Sequence, residues 1–164
     1  MSGSGSPEVS GKTEASAELK AVQAALRAEH AAVYGYGVVG GKVGAERRAE
    51  AQAAYDAHRA RRDALARAVR DLDGKPEPAA AAYALPFLVT GSDAAVRLAV
   101  ELEERVAGVY SDVVRAAGGE RRRDAAEALR EAAVRAARWR GGSVAFPGLA
   151  ERAAPAGPPS TPRT

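Results

Sequence analysis

The sequence predicts an all-α fold, a four-helix bundle in which two antiparallel hairpins are joined by one long crossover. Three observations carry that prediction. Four segments place their seam residues at alternating spacings of 3 and 4, the period of a helix with one core-facing stripe. Short glycine turns, "GGKVG" at 40–44 and "GG" at 118–119, separate the first segment from the second and the third from the fourth. Residues 73–92 between the second and third segments have no helical period and contain the apolar run "AAYALPFLVT".

The first helix is predicted from about Glu14 to Val39, with Leu19, Val22, Leu26, Glu29, Val33 and Tyr36 forming one continuous seam. "GGKVG" ends it, because glycine is favoured where a helix closes. The second helix, about Ala45 to Leu72, has Ala51, Tyr55, His58, Arg62, Leu65, Val69 and Leu72 in its seam, and "DGKPEP" closes it. The third opens at "TGSDAA", where Ser92 or Asp93 is expected to cap the free amides, and runs to about Ala117. Ala99, Glu103, Val106, Tyr110 and Val113 mark its seam. The fourth runs from about Arg121 to Arg140 with Ala125, Ala128, Ala132, Arg135 and Trp139 in one row, and "GG" at 141–142 ends it. "VAFPGL" after it is expected to fold back as an apolar plug, with Trp139 and Phe146 as anchors.

The linker between the pairs could reach roughly 65 Å when extended. A helix of about 26 residues is roughly 39 Å long, so the linker can travel the bundle and leave the second and third helices parallel. Two hairpins joined in this way describe a ferritin-like arrangement.

The chain of 164 residues fits one domain, expected at 15–149, with Ser/Gly-rich residues 1–14 and Pro/Ala-rich residues 150–164 expected to be disordered tails. Its hydrophobic fraction of 46% is largely alanine, and aromatics make up 5%, which favours closely approaching helices. There are no cysteines, which excludes disulfides and thiolate metal sites. The first residues lack the apolar stretch of a signal peptide, and no run approaches the roughly 18 apolar residues of a membrane helix, so a cytoplasmic protein without membrane contact is expected. The net charge of +3 is mild. "HRARRD" and "ERRR" have acids beside their bases, which reads as a solvated face and argues against a nucleic-acid groove.

The unusual feature is a set of polar residues in otherwise apolar seams near mid-helix: Glu29, Tyr55, His58, Glu103 and Arg135. Unpaired buried carboxylates are costly, so these groups are expected to meet in one central layer. Carboxylate-bridged dimetal bundles fill such a layer with a glutamate from each of two helices and a Glu-x-x-His pair from each of the other two, since i and i+3 face the same way. Glu29 and Glu103 suit the first role; "YDAH" offers His58 with Tyr55 in the glutamate slot, and "AAVR" supplies Arg135, a cation, where a donor is needed. A three-ligand iron or manganese site of Glu29, His58 and Glu103 is one reading. Direct neutralisation of the glutamates by Arg135, with Arg62 as a second cation, is the other and preferred one. His30 lies one position off the seam, and Tyr34, Tyr36 and Tyr110 read as packing residues.

Four blocks, "LRAEHAAVYGYGVVG", "AAYDAHRARRDAL", "AYALPFLVT" and "AAVRAARWRG", taken in order over about residues 18–149, resemble the actinobacterial ferritin-like domain proteins of unknown function. The resemblance implies a ferritin-like four-helix bundle and no established activity. Glu29, His58 and Glu103 match ligand positions of the wider ferritin-like group. Tyr55 and the Ala132/Arg135 pair depart from them, which argues against ferroxidase, oxygenase and iron-storage activity. The expectation is therefore a non-catalytic binding or interaction module without a cofactor, self-associating as a homodimer or engaging a protein or small-molecule partner.

Overall fold

The computed structural model describes residues 7–141, with side chains from Gly11 onward. These residues form α1 (Pro7–Lys42), a single 3-10 turn (Ala45–Arg47), α2 (Arg48–Asp71), α3 (Ser92–Ala116) and α4 (Gly119–Arg140), with no strand among them. The expected plug, Phe146 and the C-terminal tail lie outside the described residues.

Several boundaries differ from the sequence reading for local reasons. α1 begins at Pro7, ahead of the expected start near Glu14, and continues through Gly40 and Gly41 to Lys42. Proline is tolerated in a first helical turn because its missing N–H would have no partner there. Glycine weakens a helix without breaking it, and the Val43 N–H still reaches the Val39 carbonyl at 2.9 Å. Neither Ser92 nor Asp93 caps α3. Gly91 stands at the N-cap with no side-chain acceptor, and its carbonyl takes the Ala95 N–H at 3.0 Å. α4 starts at Gly119, before the expected Arg121. It stops at Gly141, whose φ of 82° is a left-handed cap that glycine adopts at little cost.

α1 packs against α2 and α3, and α3 packs against α4. The contacts fix their directions. Gly35 faces Leu102 while Glu29 meets Tyr110, so α1 and α3 run antiparallel. Glu29 meets His58 while Leu19 faces Gly74 beyond the end of α2, so α1 and α2 are antiparallel as well. α2 and α3 therefore run parallel, and the crossover must return along the molecule. It does so beside α1. Gln23 donates to the Lys75 carbonyl at 2.6 Å, Arg27 pairs with Glu77 at 2.6 Å, and Tyr34 meets Tyr83 at a centroid distance of 5.6 Å. Leu85, Phe87 and Val89 then pack onto the core.

The interior divides into two apolar clusters. One includes Val22, Leu26, Leu65, Val69, Val106 and Val113; the other includes Tyr36, Val39, Ala51, Leu98, Leu102 and Trp139. On every helix a polar residue falls between the two sets: Glu29, His58, Glu103 and Arg135. Each fully buried Leu or Val contributes roughly 1.5–3 kcal/mol, so both clusters hold the helices firmly on either side of the polar residues.

Gly35 and Gly37, two residues apart on α1, are not equivalent. A Cβ on Gly35 would lie 2.5 Å from Leu102 Cδ1, whereas one on Gly37 would meet nothing within 4 Å. Gly35 thus sets the approach of α3, and Gly37 does not. Gly37→Ala is expected to raise unfolding stability by roughly 0.5–1 kcal/mol through helix propensity. Gly35→Ala is expected to lower stability by about 1–3 kcal/mol as Leu102 is displaced. Urea denaturation of the two variants checks this, and an equal gain for both would show that Leu102 yields freely.

Candidate functional site

Among the described residues, Glu29, His58 and Glu103 are the buried members of the charged and polar residue types, at 1%, 0% and 0% exposure. α1, α2 and α3 each bring one of them to the level between the two apolar clusters. The helical period put each in a core-facing seam, and burial obliges each to find partners inside the bundle.

His58 occupies the centre. Its Nδ1 lies 2.6 Å from Glu29 Oε2 and its Nε2 lies 3.1 Å from Glu103 Oε1. From α4, Arg135 donates through Nε to Glu103 Oε1 at 2.8 Å, its side chain 17% exposed. Two tyrosines complete the layer. Tyr36 donates to Glu103 Oε1 at 2.6 Å and stacks on the His58 ring at 5.2 Å, while Tyr110 donates to Glu29 Oε1 at 2.7 Å.

Two carboxylates, one imidazolium and one guanidinium sum to zero charge, which is what a buried cluster needs. Burial alone would lower the basicity of His58, but hydrogen bonds and charge from Glu103 and Glu29 outweigh it and raise the pKa to about 9. The ring is then protonated at neutral pH, and both N–H groups donate. Burial would likewise raise the Glu103 pKa, yet the hydrogen bond and charge of His58, then Arg135 and Tyr36, hold it below the ordinary carboxylate range. Burial, with the charge and hydrogen bond of Glu103, pushes the Tyr36 phenol far above its ordinary value. Burial and Glu29 do the same to Tyr110.

The sequence reading placed Glu29, His58, Glu103 and Arg135 at one level, and these four make contact. Tyr55 does not join them. It is half-buried at the edge of the second apolar cluster, with the Arg59 guanidinium 5.8 Å from its ring centre. Arg62, weighed as a second cation, pairs with Asp63 at 2.8 Å. His30 is half-buried, with Nε2 3.1 Å from the Glu77 carbonyl of the crossover.

By their seam positions alone Tyr36 and Tyr110 are packing residues. The signal that finds them is a repeated spacing: in α1 and α3 alike the tyrosine follows the glutamate by seven residues. Seven residues bring a side chain back to the same helix face about 10.5 Å along. Antiparallel packing then sets each tyrosine against the opposite helix's glutamate.

As arranged, both His58 nitrogens lie against carboxylate oxygens, and a guanidinium sits against Glu103. Among the described residues no three His, Cys, Asp or Glu side chains are gathered so that they could hold a metal ion. One atom stands out: Glu103 Oε2 is buried and has no hydrogen-bond partner among the described residues.

The family model for a domain of unknown function (DUF4439) matches residues 21–151. Among solved structures, the chain is similar to the crystal structure of a conserved hypothetical protein, rv2844, from Mycobacterium tuberculosis. The two are 36% identical with a TM-score of 0.75, over 77% of this chain and 96% of that one. No curated protein matches the chain.

Proposed function

From the premise that the chain belongs to the family described as a domain of unknown function (DUF4439), we propose that it is a non-catalytic, ferritin-like bundle that serves as a binding or interaction module. In this reading a closed Glu/His/Arg network stands where related bundles hold two metals. The observation that carries it is His58, bridged on both ring nitrogens by Glu29 and Glu103 and so left without a free ligand atom. The two antiparallel hairpins and the crossover along α1 support the ferritin-like assignment. The network contributes uniqueness of packing: two apolar clusters alone tolerate sliding of alanine-rich helices, whereas hydrogen bonds at one level fix the register. No described helix is long and apolar enough to cross a membrane.

Purified protein resupplied with iron or manganese provides the test. The expected result is metal far below one equivalent per chain. Near-stoichiometric metal that disappears in Glu29→Gln or His58→Gln would sink the proposal. It would favour a second reading, a metal-binding or redox protein with an incomplete carboxylate/His site, for which the unpartnered Glu103 Oε2 speaks.

A further inference from the structure

Glu103 is fully buried and its two carboxylate oxygens are used unequally. Oε1 accepts from Tyr36, His58 and Arg135, while Oε2 has no donor among the described residues. A buried carboxylate oxygen without a donor costs on the order of 1–3 kcal/mol or more, which makes Oε2 half of an unfilled seat. A planar guanidinium can serve both oxygens of a carboxylate side by side, but Arg135 reaches only one of them, through Nε.

Arg135 is also the layer's one link to solvent. Its Nη1 lies 3.9 Å from Glu131 Oε2, at the limit of an ion pair, and Glu131 is also held by Arg61 of α2 at 3.0 Å. Arg135 therefore has an inner carboxylate, Glu103, and an outer one, Glu131, within reach of the same side chain. α2 and α4 are not among the closely packed helix pairs, and the Arg61–Glu131 pair spans their side of the layer.

We infer that the carboxylate of Glu103 is a seat for a small organic cation of the guanidinium or amidinium type, and that Arg135 is its resident occupant. A ligand entering between α2 and α4 would donate to both Glu103 oxygens, fill the demand at Oε2, and displace Arg135 outward to Glu131. The charge of the buried layer is unchanged, since one cation replaces another beside Glu103, so the remainder of the layer can stay as it is. A planar cation suits this seat better than a metal ion, because both His58 nitrogens lie against carboxylate oxygens. The inference rests on the reading of the network as metal-free.

Arg135→Ala vacates the seat. Titrating metal-free Arg135→Ala with low-millimolar guanidinium, against sodium chloride at equal ionic strength, is expected to give 1:1 binding with Kd on the order of 1 mM or tighter and a concentration-dependent rise in Tm. Arg135→Ala/Glu103→Gln is expected to give neither. If Arg135→Ala is unfolded alone, the same titration reads recovery of a dispersed amide NMR spectrum. No binding or recovery, or an equal response in the double variant, would overturn the seat. Binding of Mn2+ in place of guanidinium by Arg135→Ala would also overturn it. Metal already present in the wild-type protein would instead sink the metal-free reading, which keeps the two failures distinct.

Discussion

Glu103→Gln is expected to lower the unfolding free energy by about 3–5 kcal/mol, the largest effect of any conservative substitution in the molecule. The change keeps shape and volume but removes one of the two negative charges that balance His58 and Arg135. Glutamine can still place its carbonyl oxygen where Tyr36, His58 and Arg135 converge on Oε1, so the loss comes from the missing negative charge opposite His58 and Arg135 in a sealed site. Exposed carboxylates provide the comparison. Glu104 pairs with Arg140, and its side chain is 51% exposed, so Glu104→Gln is expected to cost no more than about 1 kcal/mol. Urea denaturation at neutral pH reads both. Equal midpoints for the two variants would mean that the Glu103 carboxylate is not ionised in the fold.

Stability should fall as the solution is made alkaline, and His58 should be the cause. Its folded-state pKa of about 9 lies above the ordinary value of 6.5. The stabilisation from protonating it is complete below about pH 6.5 and is lost as pH rises through about 9, a total on the order of 3 kcal/mol. Among the groups facing His58, Tyr36 and Tyr110 are pushed upward and stay protonated through this window. Arg135 is likewise held charged, its burial outweighed by the charge and hydrogen bond of Glu103. The acid side has the opposite sign. Glu103 is held below its ordinary value of 4.5, so its contribution is present above that pH and lost as pH falls further. Urea midpoints across this range should therefore form a plateau near pH 5–6.5 with a decline on each side. His58→Gln should flatten the alkaline arm, and an unchanged arm in that variant would assign it to other groups.

The architecture was legible because alanine-rich helices leave few alternatives. Spacings of 3 and 4 identified the four seams, and two glycine turns fixed the hairpins. The length of the segment between α2 and α3 allowed the crossover that Gln23, Arg27 and Tyr34 now hold in place. The ends of helices were less legible, since they depend on local caps. Pro7 extends α1 because a first turn tolerates it, and Gly91 replaces Ser92 at the start of α3 because the chain arrives extended, at φ −166° and ψ −171°. Sequence alone does not separate Gly37 from Gly35, because it shows that a residue is small without showing which side of the helix has a neighbour. Only Gly35 looks toward Leu102.

In the site, charge made Glu29, His58, Glu103 and Arg135 conspicuous, since burying them demands partners. Tyr36 and Tyr110 were harder to separate from ordinary core aromatics, because a tyrosine in a seam is unremarkable until its hydroxyl is given an acceptor. Their matched offset from the two glutamates becomes meaningful only once α1 and α3 are known to be antiparallel neighbours. Tyr55 erred in the other direction. Its place three residues before His58 suited a ligand motif, yet it lies at the edge of an apolar cluster, where a half-buried phenol needs no partner in the layer.

The central claim is that His58 is a doubly bonded imidazolium locked between two carboxylates. The 15N chemical shifts of its ring, followed from acid to alkaline pH with and without Mn2+, test that claim most directly. The account predicts two protonated nitrogens at neutral pH, deprotonation near pH 9, and no change when Mn2+ is added. A neutral ring at pH 7 with one unprotonated nitrogen, broadened by Mn2+, would contradict it.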